Sequence, residues 1–224
     1  MISNENKNRL IFGLIFISCL YFGVYFSALS CSILFAFIGT ICIYEMLLLR
    51  KGKSKFFAIT YTISPFILIQ ILIWKFLSTN SSESLWSPNI ILHLLILTWV
   101  FDTFAYIIGV KFGKNKIMPS ISPKKSWEGL FGGMLFTILA SFLIFEKNYI
   151  NIILFAVLVP ISATVGDFIE SFYKRQAGVK DSGKMIPGHG GMLDRMDSLL
   201  ISISVISLIT ICLLYTSPSP RDLL

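Results

Sequence analysis

Charge is scarce in this chain. Only 14% of its 224 residues are Asp, Glu, Lys or Arg, against about a quarter in soluble domains. With 55% hydrophobic residues, an ordinary water-soluble fold is excluded and an integral membrane protein is implied. There are only two histidines and four cysteines. Cys19, Cys31, Cys42 and Cys212 all fall in apolar segments and form no C-x-x-C pair. Neither a disulfide framework nor a thiolate metal site follows from them. No repeat of fixed period is present. The first apolar run is long and has no small-residue cleavage site, so it reads as a retained span and not a signal peptide. The net charge of +7 does not point to nucleic acid, because the basic residues alternate with apolar runs instead of forming one patch.

What is abundant is apolar length. About seven runs approach the ~20 residues needed to cross the hydrocarbon. They lie near 10–27, 29–49, 56–77, 88–110, 129–146, 149–166 and 198–215. The expected fold class is all-α, a polytopic membrane helix bundle. The first two runs, and the fifth and sixth, are so close in sequence that each pair reads as a tight helical hairpin. Pro65 and Pro160 fall within runs, as packing kinks that neighbouring helices can tolerate.

The basic residues give an orientation. Lys7 and Arg9 precede the first run. Arg50, Lys51, Lys53 and Lys55 follow the second. Lys111, Lys114, Lys116, Lys124 and Lys125 follow the fourth, and Lys174, Arg175, Lys180, Lys184 and Arg195 follow the sixth. With alternating spans all of these share one side, leaving only Lys75, Lys147 and Arg221 elsewhere. The positive-inside rule then predicts a cytoplasmic N-terminus, cytoplasmic long loops and an outer C-terminus. The domain reading is 1–100 as N-terminal spans and 101–215 as a catalytic membrane region with cytoplasmic loops. The Ser/Pro-rich tail 216–224 reads as disordered or artefactual and is left out of the functional argument.

The chemistry is concentrated between Ser171 and Ser198, SFYKRQAGVKDSGKMIPGHGGMLDRMDS, where charge crowds the boundary of an apolar region. Asp167, Glu170 and Lys174 are spaced by three and seven, on one helical face. Asp194 and Asp197 are three apart at the entry to the last run. Acidic pairs at facing helix ends can hold Mg2+, which takes hard oxygen ligands and completes its shell with water and substrate phosphates. Gly188–Gly191, with His189 inside it, would let backbone N–H groups approach an oxyanion. Lys174, Arg175, Lys180, Lys184 and Arg195 would neutralise a polyphosphate. A solvated charged loop would explain the mixed charge but not the glycines beside paired aspartates.

A second loop, ISPKKSWEG, places Lys124 and Lys125 near the membrane surface. Ser122-Pro123 reads as the start of a turn, and Ser126 as the cap of a helix with Glu128 in its first turn. A free helix start flanked by lysines suits phosphate, although a basic loop attracting anionic lipid reads equally well from these residues. Asp102 stands inside the fourth run, and an acid at that depth is a site hypothesis by default. His93 in the same run reads as a packing residue. Glu45 is expected to pair with Arg50 at the interface.

These motifs carry a resemblance. GDFIESFYKR followed by KDSGKMIPGHGGMLDRMDS closely resembles the signature of the phosphatidate cytidylyltransferases, the CDP-diacylglycerol synthases. DTFAYIIGVKFGK and SPKKSWEG are similar to that family as well, in the same order. The resemblance covers about 101–200. It implies that CTP and phosphatidate give CDP-diacylglycerol and pyrophosphate in phospholipid biosynthesis, in the inner membrane with the site facing the cytoplasm. It implies Mg2+, with K+ beside the metal centre, and metal-binding aspartates at Asp167 and Asp194. Asp197 and Glu170 are expected as neighbouring metal carboxylates. Lys174, Arg175, His189 and Arg195 are expected in catalysis. Lys124, Lys125, Ser126, Lys180, Asp181, Lys184, Gly190, Gly191 and Asp102 are expected around substrate. A homodimer is a further expectation. The chain is shorter than many bacterial members of the family, by about two N-terminal spans.

Other readings stay open on the residues. A CTP-dependent lipid kinase would release CDP instead of pyrophosphate, and a relative could act on an isoprenoid-ether lipid. An ion-coupled transporter would use Asp102 and Asp167 as coupling acids, but charge sits mostly on one membrane face.

Overall fold

The computed structural model describes residues 4–79, 88–144, 149–183, 185 and 190–216. The elements run α1 (Asn4–Phe26), α2 (Ala28–Leu49), α3 (Phe56–Thr79), α4 (Asn89–Phe112), β1 (Lys116–Met118), β2 (Ser122–Ser126), α5 (Trp127–Ile144), α6 (Tyr149–Gln176) and α7 (Leu193–Thr216). Among the described residues six helices are long and apolar enough to span a membrane, and α1 adds the shorter apolar stretch Ile11–Phe26. The chain is therefore a polytopic bundle of membrane helices, as the apolar runs predict.

Packing centres on α7, which touches α2, α3, α4 and α6. Leu193, Met196, Leu200 and Ile203 of α7 are buried with Phe35, Ile38, Cys42 and Met46 of α2. The outer faces carry apolar residues such as Phe37, Phe131 and Leu143, the surface that a bilayer covers. In lipid such faces gain nothing by meeting one another, so close packing and interhelical hydrogen bonds must hold the bundle. Both are present. At the α4–α5 contact a Cβ on Gly129 would lie 2.7 Å from the Ala105 carbonyl oxygen. Phe104 and Phe136 stack beside that contact with ring centroids 3.7 Å apart. At the α6–α7 contact Ser162 and Ser202 are 2.9 Å apart, and between α3 and α6 the Tyr61 hydroxyl donates to the Gly166 carbonyl at 3.0 Å.

Three polar connections, described at 50–55, 113–126 and 177–183 with 190–192, gather at one end of the bundle. Arg50 bonds the Gln176 side chain, the Arg175 guanidinium reaches the Ile121 carbonyl, and Lys125 ion-pairs with Asp167. This end therefore collects the basic residues that the alternation of spans puts on one side.

Both helices at the site outrun their apolar runs, as the helical spacing of their charged residues predicts, and the structure corrects the sequence reading at two further points. Helix α6 continues to Gln176, ten residues past the apolar run ending at 166, and the Glu170–Lys174 ion pair across one turn sustains it. Helix α7 starts at Leu193, five residues before the apolar run at 198, and the Glu45 side chain caps its first turn. Ser122-Pro123 lies in a strand, and the turn falls at 119–121 between β1 and β2, which pair antiparallel. A proline is tolerated there because a two-stranded ribbon leaves each strand an unpaired edge. Finally, Glu45 does not pair with Arg50. The arginine donates to the Ser54 carbonyl and lies 5.3 Å over the Tyr173 ring, while Glu45 turns towards the start of α7.

Candidate active site

The gathered polar end encloses a cavity of about 720 Å3 between α4, the β-hairpin, α5, α6 and α7. Each wall has a local cause. Ser126 accepts from the Gly129 N–H at 3.2 Å and so starts α5, as its position before an apolar run predicts. Glu128 accepts from the Asn115 backbone and side chain at 3.1 and 2.8 Å, which ties the end of α4 to α5 and fixes the hairpin over the cavity. Gly166 brings α6 against the α7 backbone, where an added Cβ would sit 3.4 Å from the Asp197 carbonyl carbon. That approach sets Asp167 beside Asp197.

Eight of the residues singled out in the sequence line this cavity: Asp102, Lys124, Lys125, Ser126, Asp167, Asp194, Arg195 and Asp197. Lys125 ion-pairs with Asp167 and lies 5.3 Å over the Phe168 ring. Asp167 also accepts from Ser171 Oγ at 3.2 Å. Asp102, Asp167 and Asp197 lie within electrostatic reach of one another, with Lys125 the cation common to them. Asp197 Oδ1 accepts from the Ser198 N–H at 2.7 Å and from Ser198 Oγ at 3.3 Å. Beyond Asp102 the α4 wall is mostly apolar. Tyr106 and Val110 line the cavity and are each 69% exposed, so this wall is continuous with the lipid-facing surface.

Asp194 enters the cavity already engaged. Its Oδ2 accepts from the Ser182 N–H, the Ser182 hydroxyl and the Gly191 N–H at 2.8, 2.9 and 2.8 Å, and its Oδ1 accepts from Lys174 Nζ at 2.8 Å. Lys174 in turn ion-pairs with Glu170, whose side chain has no solvent exposure. Glu170 Oε1 has no hydrogen-bond partner among the described residues. Glu170 and Lys174 therefore stand behind the cavity wall as a buried brace.

The other sequence candidates lie around the rim. Arg175 donates to the Val179 carbonyl at 3.0 Å, and Lys180 and Asp181 are exposed. Gly190 has φ +87°, and a Cβ there would sit 2.8 Å from Asp194 Oδ2, so only glycine fits that backbone and that neighbour. Gly191 supplies an N–H to Asp194. Lys184 and His189 lie outside the described residues. Sequence reasoning missed Glu45, Lys116 and Thr164. The last two line the cavity, and Glu45 braces its rim. An acid inside an apolar run, one turn before its end, was the available signal for Glu45.

Mg2+ is usually held by one or two carboxylates, with the rest of its shell from water and substrate phosphates. The described residues contain no group of three His, Cys, Asp or Glu side chains that would cage a metal by themselves. Asp167 and Asp197 on the cavity wall fit the sparser arrangement. Asp194 fits it only by giving up Lys174, and Glu170 faces away from the cavity.

A family model for the cytidylyltransferase family matches residues 66–213. The chain belongs to that family. A phosphatidate cytidylyltransferase of Thermotoga maritima is 50% identical over 119 residues, 49% of this chain and 44% of the relative. One of Haemophilus influenzae is 40% identical over 127 residues, 53% of this chain and 44% of the relative. One of Staphylococcus epidermidis is 36% identical over 168 residues, 73% of this chain and 63% of the relative. The chain spans about half the length of the curated relatives it matches. The family match contains α4 to α6, α7 as far as residue 213 and every residue of the cavity, while Glu45 lies outside it.

Proposed function

We propose that this cytidylyltransferase-family protein transfers the cytidylyl group of CTP to phosphatidate, forming CDP-diacylglycerol and pyrophosphate. The observation that carries the reading is one cavity lined by four aspartates, by the four cations Lys116, Lys124, Lys125 and Arg195, and by a wall continuous with the bilayer surface. Such a cavity accommodates an amphipathic phosphate ester whose tails stay in lipid, together with a soluble nucleotide from the polar end.

A phosphate oxygen of phosphatidate attacks the α-phosphorus of CTP. The new P–O bond forms as the bond to the β-bridging oxygen breaks, and pyrophosphate leaves with that electron pair. The monoester is already anionic near neutral pH, so no strong general base is required. The obstacle is repulsion between two anions. Lys124, Lys125 and Arg195 offset it at the cavity, and the positive dipole end at the start of α5 adds to them beside Ser126. Asp167 and Asp197 would hold Mg2+, with Asp102 near them and Asp194 able to join on release of Lys174. When bound, the ion neutralises phosphate charge as a Lewis acid. K+ beside it belongs to the same proposal. Lys174 and Glu170 hold Asp194 in place. Arg175 at the end of α6, with Lys180, Asp181, Gly190, Gly191, Lys184 and His189 of the following loop, meets the polyphosphate in this reading.

The proposed setting is the inner membrane, with the polar end in the cytoplasm where CTP is made. A homodimer is part of the expectation and is checked by particle mass in detergent. The deciding experiment incubates purified protein in mixed micelles with labelled CTP, phosphatidate and Mg2+. CDP-diacylglycerol and pyrophosphate are expected in equal amounts, with activity lost on chelation and restored by Mg2+, and stimulated by K+. Release of CDP with a phosphorylated lipid would overturn the assignment in favour of a lipid kinase.

A further inference from the structure

Glu45 is a buried carboxylate, and among the described residues no cation pairs with it. It sits one turn before the end of α2 and is 4% exposed. Its Oε1 accepts from the Met192 N–H at 3.1 Å, and its Oε2 accepts from the Leu193 N–H at 2.8 Å and the Ser182 hydroxyl at 2.9 Å. Leu193 is the first residue of α7, and the Met192 carbonyl accepts the N–H of Met196. A helix start leaves N–H groups without intrahelical partners. Here a side chain 147 residues away supplies two of the missing acceptors.

A second observation shows that the surrounding chain is shaped around this carboxylate. A Cβ on Gly183 would lie 3.0 Å from Glu45 Cδ, and one on Gly191 would lie 2.7 Å from Glu45 Oε1. The loop therefore presents bare backbone to Glu45 at both of its ends. Ser182 joins the two acids, because its hydroxyl lies 2.9 Å from Glu45 Oε2 and 2.9 Å from Asp194 Oδ2. Its single proton can serve only one of them at a time.

We propose that Glu45 is a positioning residue for the active site, acting through Ser182 and the N-terminus of α7 to set Asp194, Arg195 and Asp197 on the cavity wall. Glu45 touches no reacting group. It anchors both ends of the Ser182–Leu193 loop to α2, and it ties the N-terminal half of the chain to chemistry that lies wholly within the family match. The effect on turnover rests on the cytidylyl-transfer reading above, whereas the effect on the loop does not.

The test compares Glu45→Gln, which keeps the shape but replaces one acceptor oxygen with a donor amide, with Glu45→Asp, which keeps the charge but is shorter. Ser182→Ala serves as an independent variant should neither Glu45 variant fold. Turnover is measured on folded protein well below its unfolding temperature. Glu45→Gln is expected to lower kcat about tenfold or more while KM for phosphatidate changes less than twofold, and Glu45→Asp is expected to retain more activity than Glu45→Gln. Ser182→Ala is expected to lower kcat in the same sense, and Glu45→Gln added to it is expected to cost less than it does alone. A space-filling role would rank Gln above Asp, and that ranking, or full activity of Glu45→Gln, overturns the proposal. Amide hydrogen exchange without substrate gives a separate readout. Residues 191–194 are expected to exchange at least tenfold faster in Glu45→Gln and in Ser182→Ala, and unchanged exchange overturns the proposal. If wild-type protein forms no CDP-diacylglycerol, the reaction assignment fails while the exchange result still decides the role of Glu45.

Discussion

Lys125 on the β-hairpin and Asp167 on α6 form an ion pair across the cavity. The pair joins the two motifs that hold the cavity's cations and its acids, and it puts a phosphate-binding group directly on a proposed metal ligand. Substrate and Mg2+ would therefore part the two charges, each gaining a new partner.

Replacing either member should separate their roles. Asp167→Asn is expected to lower activity at least a hundredfold at any Mg2+ concentration. Lys125→Ala is expected to lower kcat/KM about tenfold or more and to reduce the Mg2+ concentration giving half activity, because Asp167 loses its competing cation. Mg2+ titrations of purified variants in mixed micelles check both, and an unchanged Mg2+ midpoint in Lys125→Ala would remove the competition.

The Glu170–Lys174–Asp194 brace makes a stability prediction. Lys174 is 8% exposed and holds two carboxylates together, so Lys174→Met leaves like charges buried without a cation. The expected cost is about 3–5 kcal/mol. Adding Glu170→Gln to Lys174→Met is expected to recover part of it. Thermal unfolding in detergent measures both.

Gly166 sets the spacing of α6 and α7. A methyl group there would press on the Asp197 backbone and force the two helices apart. Gly166→Ala is expected to destabilise the bundle by about 1–3 kcal/mol and to lower kcat at least tenfold, since Asp167 and Asp197 would separate. Unfolding curves and turnover on the same preparation provide the check.

Orientation is testable with a single cysteine at Ser120, in the exposed turn of the hairpin, in a background lacking the native cysteines. A membrane-impermeant thiol reagent is expected to label it in inverted vesicles and not in intact cells. Labelling from outside would reverse the proposed topology.

The bundle was legible because long apolar runs have one economical solution in lipid, a helix that satisfies its own backbone. The Asp167, Asp194 and Asp197 convergence was legible through helical spacing and motif order. The hairpin was not, because Ser-Pro-Lys-Lys-Ser has no alternation of apolar and polar residues to announce a strand. The extension of α6 beyond its apolar run was legible in the three-and-seven spacing of Asp167, Glu170 and Lys174, which one helical face accounts for. Glu45 was misassigned for a different reason. Its nearest cation in sequence was Arg50, but its actual partners are backbone amides of a helix start 147 residues away, which no local pattern encodes.

Tyr106 and Val110 belong at once to the cavity wall and to the outer surface of α4. A substrate admitted along that wall arrives by lateral diffusion within the leaflet and departs the same way, its tails never leaving hydrocarbon. The concentration that governs encounter is then the mole fraction of the lipid in its two-dimensional host. Diluting phosphatidate with inert detergent at constant total amount should slow turnover, whereas changing the water volume should leave it untouched.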